Sequence, residues 1–284
     1  MRARTRQWAA GVAALALGVG LLAAVAAAAG DKPMVWKPIV PDADATDLIK
    51  YLSQALQDDL NQGLPRGADE DAKKEWRGKM RNVPLLIAVL TQSTKDGKAD
   101  QLAAIRASAL AMSEAVEKEE FDVAKARAAA LASLKGDPKA DTGPVALHEK
   151  AELIDLMNLL RLRDKGGLGF GLKPTPPASN DGIESRLMGW AKRAPAGAEL
   201  NKQADDIARA AYVLATISEL TEAHTPKKKE GDKDPKDWKQ WTDDMREGSL
   251  ELAAAARAKD KDAIKKAANK LNASCNNCHG VFRQ

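Results

Sequence analysis

The chain has 284 residues, with 44 Lys and Arg against 40 Asp and Glu, and only 4% of its residues are aromatic. Three of the basic residues, Arg2, Arg4 and Arg6, precede a long apolar stretch, so the rest of the chain is close to neutral. This balance argues against a nucleic-acid partner, which would require a concentration of positive charge. Abundant Ala, Leu, Lys and Glu with few aromatic or β-branched residues predict an all-α fold.

Residues 1–29 have the pattern of an export signal. A basic start is followed by an uncharged stretch from Trp8 to Ala29, which ends in alanines suited to signal-peptide cleavage. Cleavage would leave a mature chain that begins near Gly30. The alternative is an uncleaved membrane anchor, because the stretch is long enough to span a bilayer. In either case the functional part is predicted to lie outside the cytoplasm, in the periplasm or a similar compartment.

Two sets of four helices are predicted along the rest of the chain. Glycines and prolines separate the helices, and Asp-Pro and Gly-Pro pairs mark a linker between residues 36–142 and residues 143–284. A Gly- and Pro-rich stretch, residues 166–180, follows the first helix of the second set. We therefore predict two antiparallel four-helix bundles in tandem. The predicted helices are 44–62, 68–93, 98–119, 121–134, 145–164, 199–223, 236–258 and 260–282, with a short helical piece at 183–194.

The two halves resemble each other in sequence. Residues 121–131 align with 261–271 at a shift of 140, and residues 83–91 align with 210–218 at a shift of 127. An additional loop in the second half explains the difference between the two shifts. The sequence thus predicts a duplicated bundle. At the shift of 140, Lys135 and Pro138 of the N-terminal copy correspond to Cys275 and Cys278 of the second copy.

The last predicted helix contains Cys275-Asn276-Asn277-Cys278-His279, the C-x-x-C-H sequence of c-type haem attachment. On a helix, residues three and four apart share a face. Two thiols could therefore bond the haem vinyl groups while the imidazole coordinates the iron. These are the only two cysteines of the chain. The motif predicts one covalent haem c in a protein that is not an enzyme. The N-terminal bundle, residues 36–142, is predicted to lack haem, because Lys135, Pro138 and Lys139 correspond to the three motif residues.

Other chemistries for these residues are less well supported by the sequence. A redox dithiol of the thioredoxin type would require a βαβ setting, and no strand is predicted. A zinc site would need four ligands, and His148 and His224, which could supplement the motif, do not lie at a suitable spacing. Both histidines are expected to be exposed or capping residues. The glycine-rich run at residues 166–171 lacks the preceding strand and following Lys-Ser/Thr of a phosphate-binding loop.

The C-terminal tail resembles the cytochrome c′ family. That family ends in an alanine-rich helix, a short acidic turn, and a final helix in which C-x-x-C-H is followed, after two residues, by Phe-Arg or Tyr-Arg. Here the corresponding residues are Phe282 and Arg283. The resemblance covers residues 235–283 well and 199–223 loosely, and it reaches the first half only through the predicted duplication.

The resemblance implies a role for each matching residue. Cys275 and Cys278 would be the thioether attachment points, His279 the proximal iron ligand, and Arg283 a neighbour of the haem. Trp238 and Trp241 could line the pocket, because their helix packs against the last one. The doubled length and the Gly/Pro insertion depart from the family pattern. The redox partner and the oligomeric state, for which a homodimer is one alternative, therefore stay open.

The sixth position on the iron separates two functions. In the resembled family the residue on the distal side of the haem comes from the first helix of the bundle. A methionine that reaches the iron gives a low-spin electron carrier, whereas an apolar distal side gives a five-coordinate site open to gases. Met157 is the candidate, and Met188 is the alternative if residues 183–194 form the true first helix. We predict a single-electron carrier, with NO or CO binding as the alternative and dithiol chemistry as a weaker third possibility.

Overall fold

The computed structural model describes residues 39–64, 67–94, 99–136, 145–174 and 180–283. The predicted leader at 1–29 and the predicted boundary at 142/143 lie outside these residues. The described part contains α-helices and short 3₁₀ turns but no β-strand, so the predicted all-α class is confirmed. The helices are α1 Asp42–Gln62, α2 Glu70–Ser93, α3 Ala99–Glu117, α4 Phe121–Ala132, α5 Leu153–Asn158, α6 Ile183–Lys192, α7 Gly197–Ala223, α8 Pro235–Arg257 and α9 Lys261–Phe282.

Aspartates at the N-terminal ends fix where three of these helices begin. The Asp69 side chain accepts a hydrogen bond from the backbone amide of Ala72, at the start of α2. Asp234 caps α8, whose first residue is Pro235, and Asp260 caps α9 by accepting from two backbone amides at 3.0 Å. Such side chains satisfy amides that have no partner within the helix. This explains why the predicted starts of these helices are accurate to within two residues.

Three helix pairings of the first half, α1–α4, α2–α3 and α3–α4, recur in the second half as α6–α9, α7–α8 and α8–α9. In the first half α1 packs on α2 and α4, and α3 packs on α2 and α4. In the second half α8 packs on α7 and α9, and α6 packs on α9. The short helical piece predicted at 183–194 is therefore the first helix of the C-terminal bundle.

The turn between α3 and α4 repeats the backbone of the turn between α8 and α9. Glu119 and Lys259, which are 140 residues apart, both adopt left-handed φ angles, of 60° and 55°. The next amide, of Glu120 or Asp260, donates to the carbonyl five residues earlier at 2.8 and 2.9 Å. Left-handed turns of this kind end many helices. The likeness therefore agrees with the predicted duplication, which stays a prediction.

The prediction of one continuous helix at residues 145–164 is wrong. The chain forms a 3₁₀ turn at Leu147–Lys150, an extended residue at Ala151, the short α5, and a second 3₁₀ turn at Arg163–Lys165. Tertiary hydrogen bonds replace the helical ones: the Leu159 carbonyl accepts from the Leu168 amide at 2.9 Å. Tertiary contacts of this kind commonly override helix propensity.

An ion pair between Arg163 and Asp181, which we call the Arg163–Asp181 clamp, stabilises the loop that precedes α6. The Arg163 guanidinium donates to the buried carboxylate of Asp181 at 2.9 Å and to the Gly171 carbonyl at 2.7 Å. Gly167 lies so close to the backbone of Arg161 that a Cβ atom there would be 1.9 Å from the Arg161 carbonyl oxygen. The glycine-rich run is thus a tightly packed structural loop.

Buried side chains of both helical sets form one hydrophobic core. The segment around α5 packs on α2 and α7, and α2 also packs on α7. Polar contacts add to this packing: Arg209 on α7 donates to Asp47 on α1 at 2.9 Å, and the Tyr212 hydroxyl donates to Asp44 at 2.8 Å. Among the described helices, none is long and apolar enough to cross a membrane.

Candidate haem site

The residues of the C-x-x-C-H motif continue the core-facing line of α9. Ile264 and Leu271 on this line are fully buried. Further along the helix, Cys275, Cys278 and His279 are only partly buried, and the two intervening asparagines are exposed. The structure therefore brings the three predicted ligating residues onto one face at the partly open end of the bundle.

The two cysteines do not form a disulfide. Burial raises the pKa of the Cys275 thiol to about 11, and the nearby Glu184 carboxylate and Cys278 thiol contribute to the increase. Burial likewise raises the pKa of Cys278. Thiol–disulfide exchange requires a readily formed thiolate, and redox-active cysteines have lowered pKa values. The environment of these thiols therefore argues against the dithiol interpretation.

The surroundings of the His279 imidazole favour its neutral form. Burial lowers its pKa, the positive charge of Arg283 lowers it further, and the Glu184 carboxylate opposes both effects. A neutral imidazole has a nitrogen lone pair available for coordination to iron. Arg283 is exposed and follows directly after α9, where its backbone amide donates to the His279 carbonyl. Its predicted position near the haem therefore agrees with its electrostatic effect on His279.

Aromatic residues fix the end of α9 against α8. The Phe282 ring packs edge-on against the rings of Trp238 and Trp241, with centroid distances of 4.7 and 5.9 Å. The Trp238 indole donates to the Thr221 carbonyl of α7 at 2.9 Å. One turn before His279, the Ser274 hydroxyl donates to the Trp241 carbonyl at 2.7 Å. The two tryptophans thus orient the helix that carries the motif.

Helix α6 covers the other side of α9. The Asn269 amide donates to the Ala191 carbonyl at 3.0 Å, which sets the register of the two helices. Glu184 lies seven residues before Ala191 and influences both Cys275 and His279, so α6 runs antiparallel to α9. Glu184 was not predicted from the sequence. If α6 had been identified as the first helix of the bundle, Glu184 would have been expected close to Cys275 and His279.

The two candidate methionines have different surroundings. Met157 is partly buried against the hydrophobic core on α5, whose packing partners are α2 and α7. Met188 is 44% exposed on α6, one turn after Glu184, and α6 packs on α9. Of the two, Met188 therefore lies on the helix that adjoins the motif. Its exposure also distinguishes it from a methionine that merely fills the core.

The remaining two histidines share a cavity whose lining does not include the motif. His148 and His224 line a separate cavity formed with residues of α2 and α3. Within the described ranges, no three His, Cys, Asp or Glu side chains are grouped so as to hold a metal ion by themselves. The motif on α9 offers a different donor set, two thiols and one neutral imidazole on one face, and this set fits a haem attached to the chain.

Comparison with protein families agrees with this site. Residues 188–283, roughly the last third of the chain, match the family model described as Cytochrome C'. The match begins at Met188 on α6 and extends through the C-x-x-C-H motif to Arg283. Neither the comparison with curated proteins nor that with solved structures gave a match.

Proposed function

Because residues 188–283 are a cytochrome c′-like, haem-binding domain, we propose that the chain is an exported single-electron carrier with one covalent haem c. The observation that supports this most is the placement of Cys275, Cys278 and His279 on one face at the open end of α9. The thiols would form the two thioether bonds, and the His279 imidazole would be the proximal ligand. Haem iron bound there would carry one electron by changing between its ferric and ferrous states.

The protein side chains would control access to the iron. Trp238, Trp241 and Phe282 fix the end of α9 and so hold the His279 ring in place. Met188 becomes the preferred distal ligand over Met157, since its helix packs on α9. Axial methionine ligation raises the reduction potential, which suits electron transfer. We further propose a periplasmic location, a protein redox partner, possible homodimer formation, and no catalytic activity of its own.

One observation favours a second candidate function. The Met188 side chain is not enclosed by the core, as its 44% exposure indicates. If it does not reach the iron, the distal side stays open, and a small gas such as NO or CO could bind there. The two functions differ in the sixth iron ligand alone, so they can be separated by spectroscopy.

The test compares ferric spectra of the wild-type holoprotein with those of Met188→Ala and Met157→Ala. We expect a low-spin wild-type spectrum with the weak long-wavelength band of a methionine-ligated ferric haem. Met188→Ala should lose this band and become high-spin, because the thioether ligand is gone. Met157→Ala is the matched control, as it removes a methionine from α5, and it should leave the spectrum unchanged. A high-spin wild-type spectrum would rule out methionine ligation and favour the gas-binding function.

A further inference from the structure

A large cavity lies on the side of the molecule formed by α2, α3 and residues 145–154, and we call it the histidine cavity. Its volume is about 1360 Å³, and it is lined by His148 and by His224, the residue that follows α7. Small-molecule sites typically occupy about 300 to 1,000 Å³, whereas one water needs about 30 Å³. The histidine cavity therefore has room for an organic molecule.

Three polar atoms of residues that line the histidine cavity are buried without a hydrogen-bond partner: Arg81 Nε, His148 Nδ1 and His224 Nε2. Most buried polar groups in proteins are paired, so an orphaned group calls for an explanation. The Arg81 Nε–H can only donate, so its missing partner must be an acceptor. Each imidazole nitrogen can also donate when it is protonated. An acceptor group with several lone pairs is the kind of partner that these atoms lack.

The distribution of charge in the histidine cavity favours an anionic acceptor. Two further basic residues belong to the lining: Arg106 is only 6% exposed, whereas Lys150 is exposed. In contrast, the lining carboxylates all belong to solvent-exposed residues, namely Glu114, Glu117, Glu149 and Glu152. Arg81 also pairs with Asp155 through a terminal nitrogen, which leaves its Nε atom unpaired. Apart from Lys150, the basic residues are therefore less exposed than the carboxylates of the lining.

Apolar side chains complete the histidine cavity. Leu85 of α2 is buried beneath it, and Leu110 of α3 is partly buried. Ile154 of α5, which is 59% exposed, also belongs to the lining. Sites that combine apolar walls with a few convergent polar groups are typical of organic ligands. An inorganic anion alone would leave these walls without a partner.

We propose that the histidine cavity binds an amphipathic organic carboxylate. The carboxylate group accepts hydrogen bonds from Arg81, His148 and His224, while the apolar body packs on Leu85 and Leu110. Hydrogen bonds to a charged group are stronger than those between neutral groups. This site is separate from the C-x-x-C-H motif, so its occupancy does not depend on the proposed electron-carrier function.

The test uses three probes with the same eight-carbon chain and different head groups: octanoate, 1-octanol and octylammonium. Their binding to the full-length holoprotein is measured by isothermal titration calorimetry. We expect octanoate to bind at least about tenfold more tightly than 1-octanol, because only octanoate supplies a charged acceptor. Octylammonium should bind more weakly than both. Equal affinity for octanoate and 1-octanol, or no binding of octanoate, would overturn the proposal.

Two variants assign the binding to the histidine cavity. His148→Gln and His224→Gln should each weaken octanoate binding about tenfold while leaving 1-octanol binding unchanged. Retained 1-octanol binding shows that the cavity is still formed. Arg193→Gln, at an exposed position outside the cavity lining, is the matched control and should not change octanoate affinity. Unchanged octanoate affinity in both histidine variants would contradict the proposed site.

Discussion

A chain in which Cys275 and Cys278 are both replaced by alanine is expected to keep its helices and to carry no covalent haem. The expected change is from one haem per chain to none, since these are the only cysteines and thioether bonds require their thiols. Haem content is measured after denaturing extraction, and helicity by circular dichroism. Asn276→Ala, between the two cysteines at an exposed position, is the control and should retain its haem.

The N-terminal half offers no second attachment point in this variant. At the shift of 140, Lys135 occupies the position that corresponds to Cys275. Helix α4 ends at Ala132, and Leu134 adopts a left-handed φ of 50°, so this helix stops before the equivalent of the motif. Helix α9 continues to Phe282. Covalent haem in the double cysteine variant would therefore contradict both the site and the haem-free first bundle.

Replacing Asp59 with alanine is expected to destabilise the protein by about 3 to 5 kcal/mol, the cost of leaving a buried charge without its partner. Lys79 is 5% exposed, and its ammonium nitrogen lies 2.6 Å from a carboxylate oxygen of Asp59. Urea denaturation measures the loss, and Asp58→Ala on the same helix is the control, with an expected cost below about 1 kcal/mol. Replacing both partners, Asp59→Leu with Lys79→Met, should recover most of the stability.

The pH dependence of the Asp59→Ala variant gives a second check. Burial lowers the pKa of Lys79 from its usual value of 10.5, and Asp59 is the main group that opposes this effect. Without Asp59, the folded state binds the Lys79 proton more weakly than the unfolded state does. Its free energy of unfolding should therefore rise with pH in the alkaline range, up to about 10.5. If Asp59→Ala were as stable as Asp58→Ala, the charge of Lys79 would have another source of stabilisation, which would contradict this account.

Local sequence signals were sufficient to predict the long helices and the haem-attachment motif. The Asp260 cap, the apolar line from Ile264 and the C-x-x-C-H spacing all lie within α9, so one segment contains the information. The prediction of a continuous helix at residues 145–164 failed for the opposite reason. The Leu159 and Leu160 carbonyls are satisfied by Leu168 and Glu184, and no local pattern reveals such distant partners.

The choice of distal methionine also depended on tertiary structure. Met157 and Met188 both lie in apolar segments, and the sequence left open which segment begins the bundle. The Arg163–Asp181 clamp closes the intervening loop and directs the chain into α6. Likewise, His148 and His224 are far apart in sequence, and only the fold brings them to one cavity. Exposed or capping histidines were the expectation. His224 does cap the end of α7, but both histidines are half-buried and each has an unpaired nitrogen.

The most direct test of the central claim is the intact mass of the purified wild-type holoprotein under denaturing conditions. The proposed function predicts the polypeptide mass plus one haem, unchanged by acid–acetone extraction, because two thioether bonds at Cys275 and Cys278 hold the group. The mass of the bare polypeptide, or haem that is removed by the extraction, would contradict it.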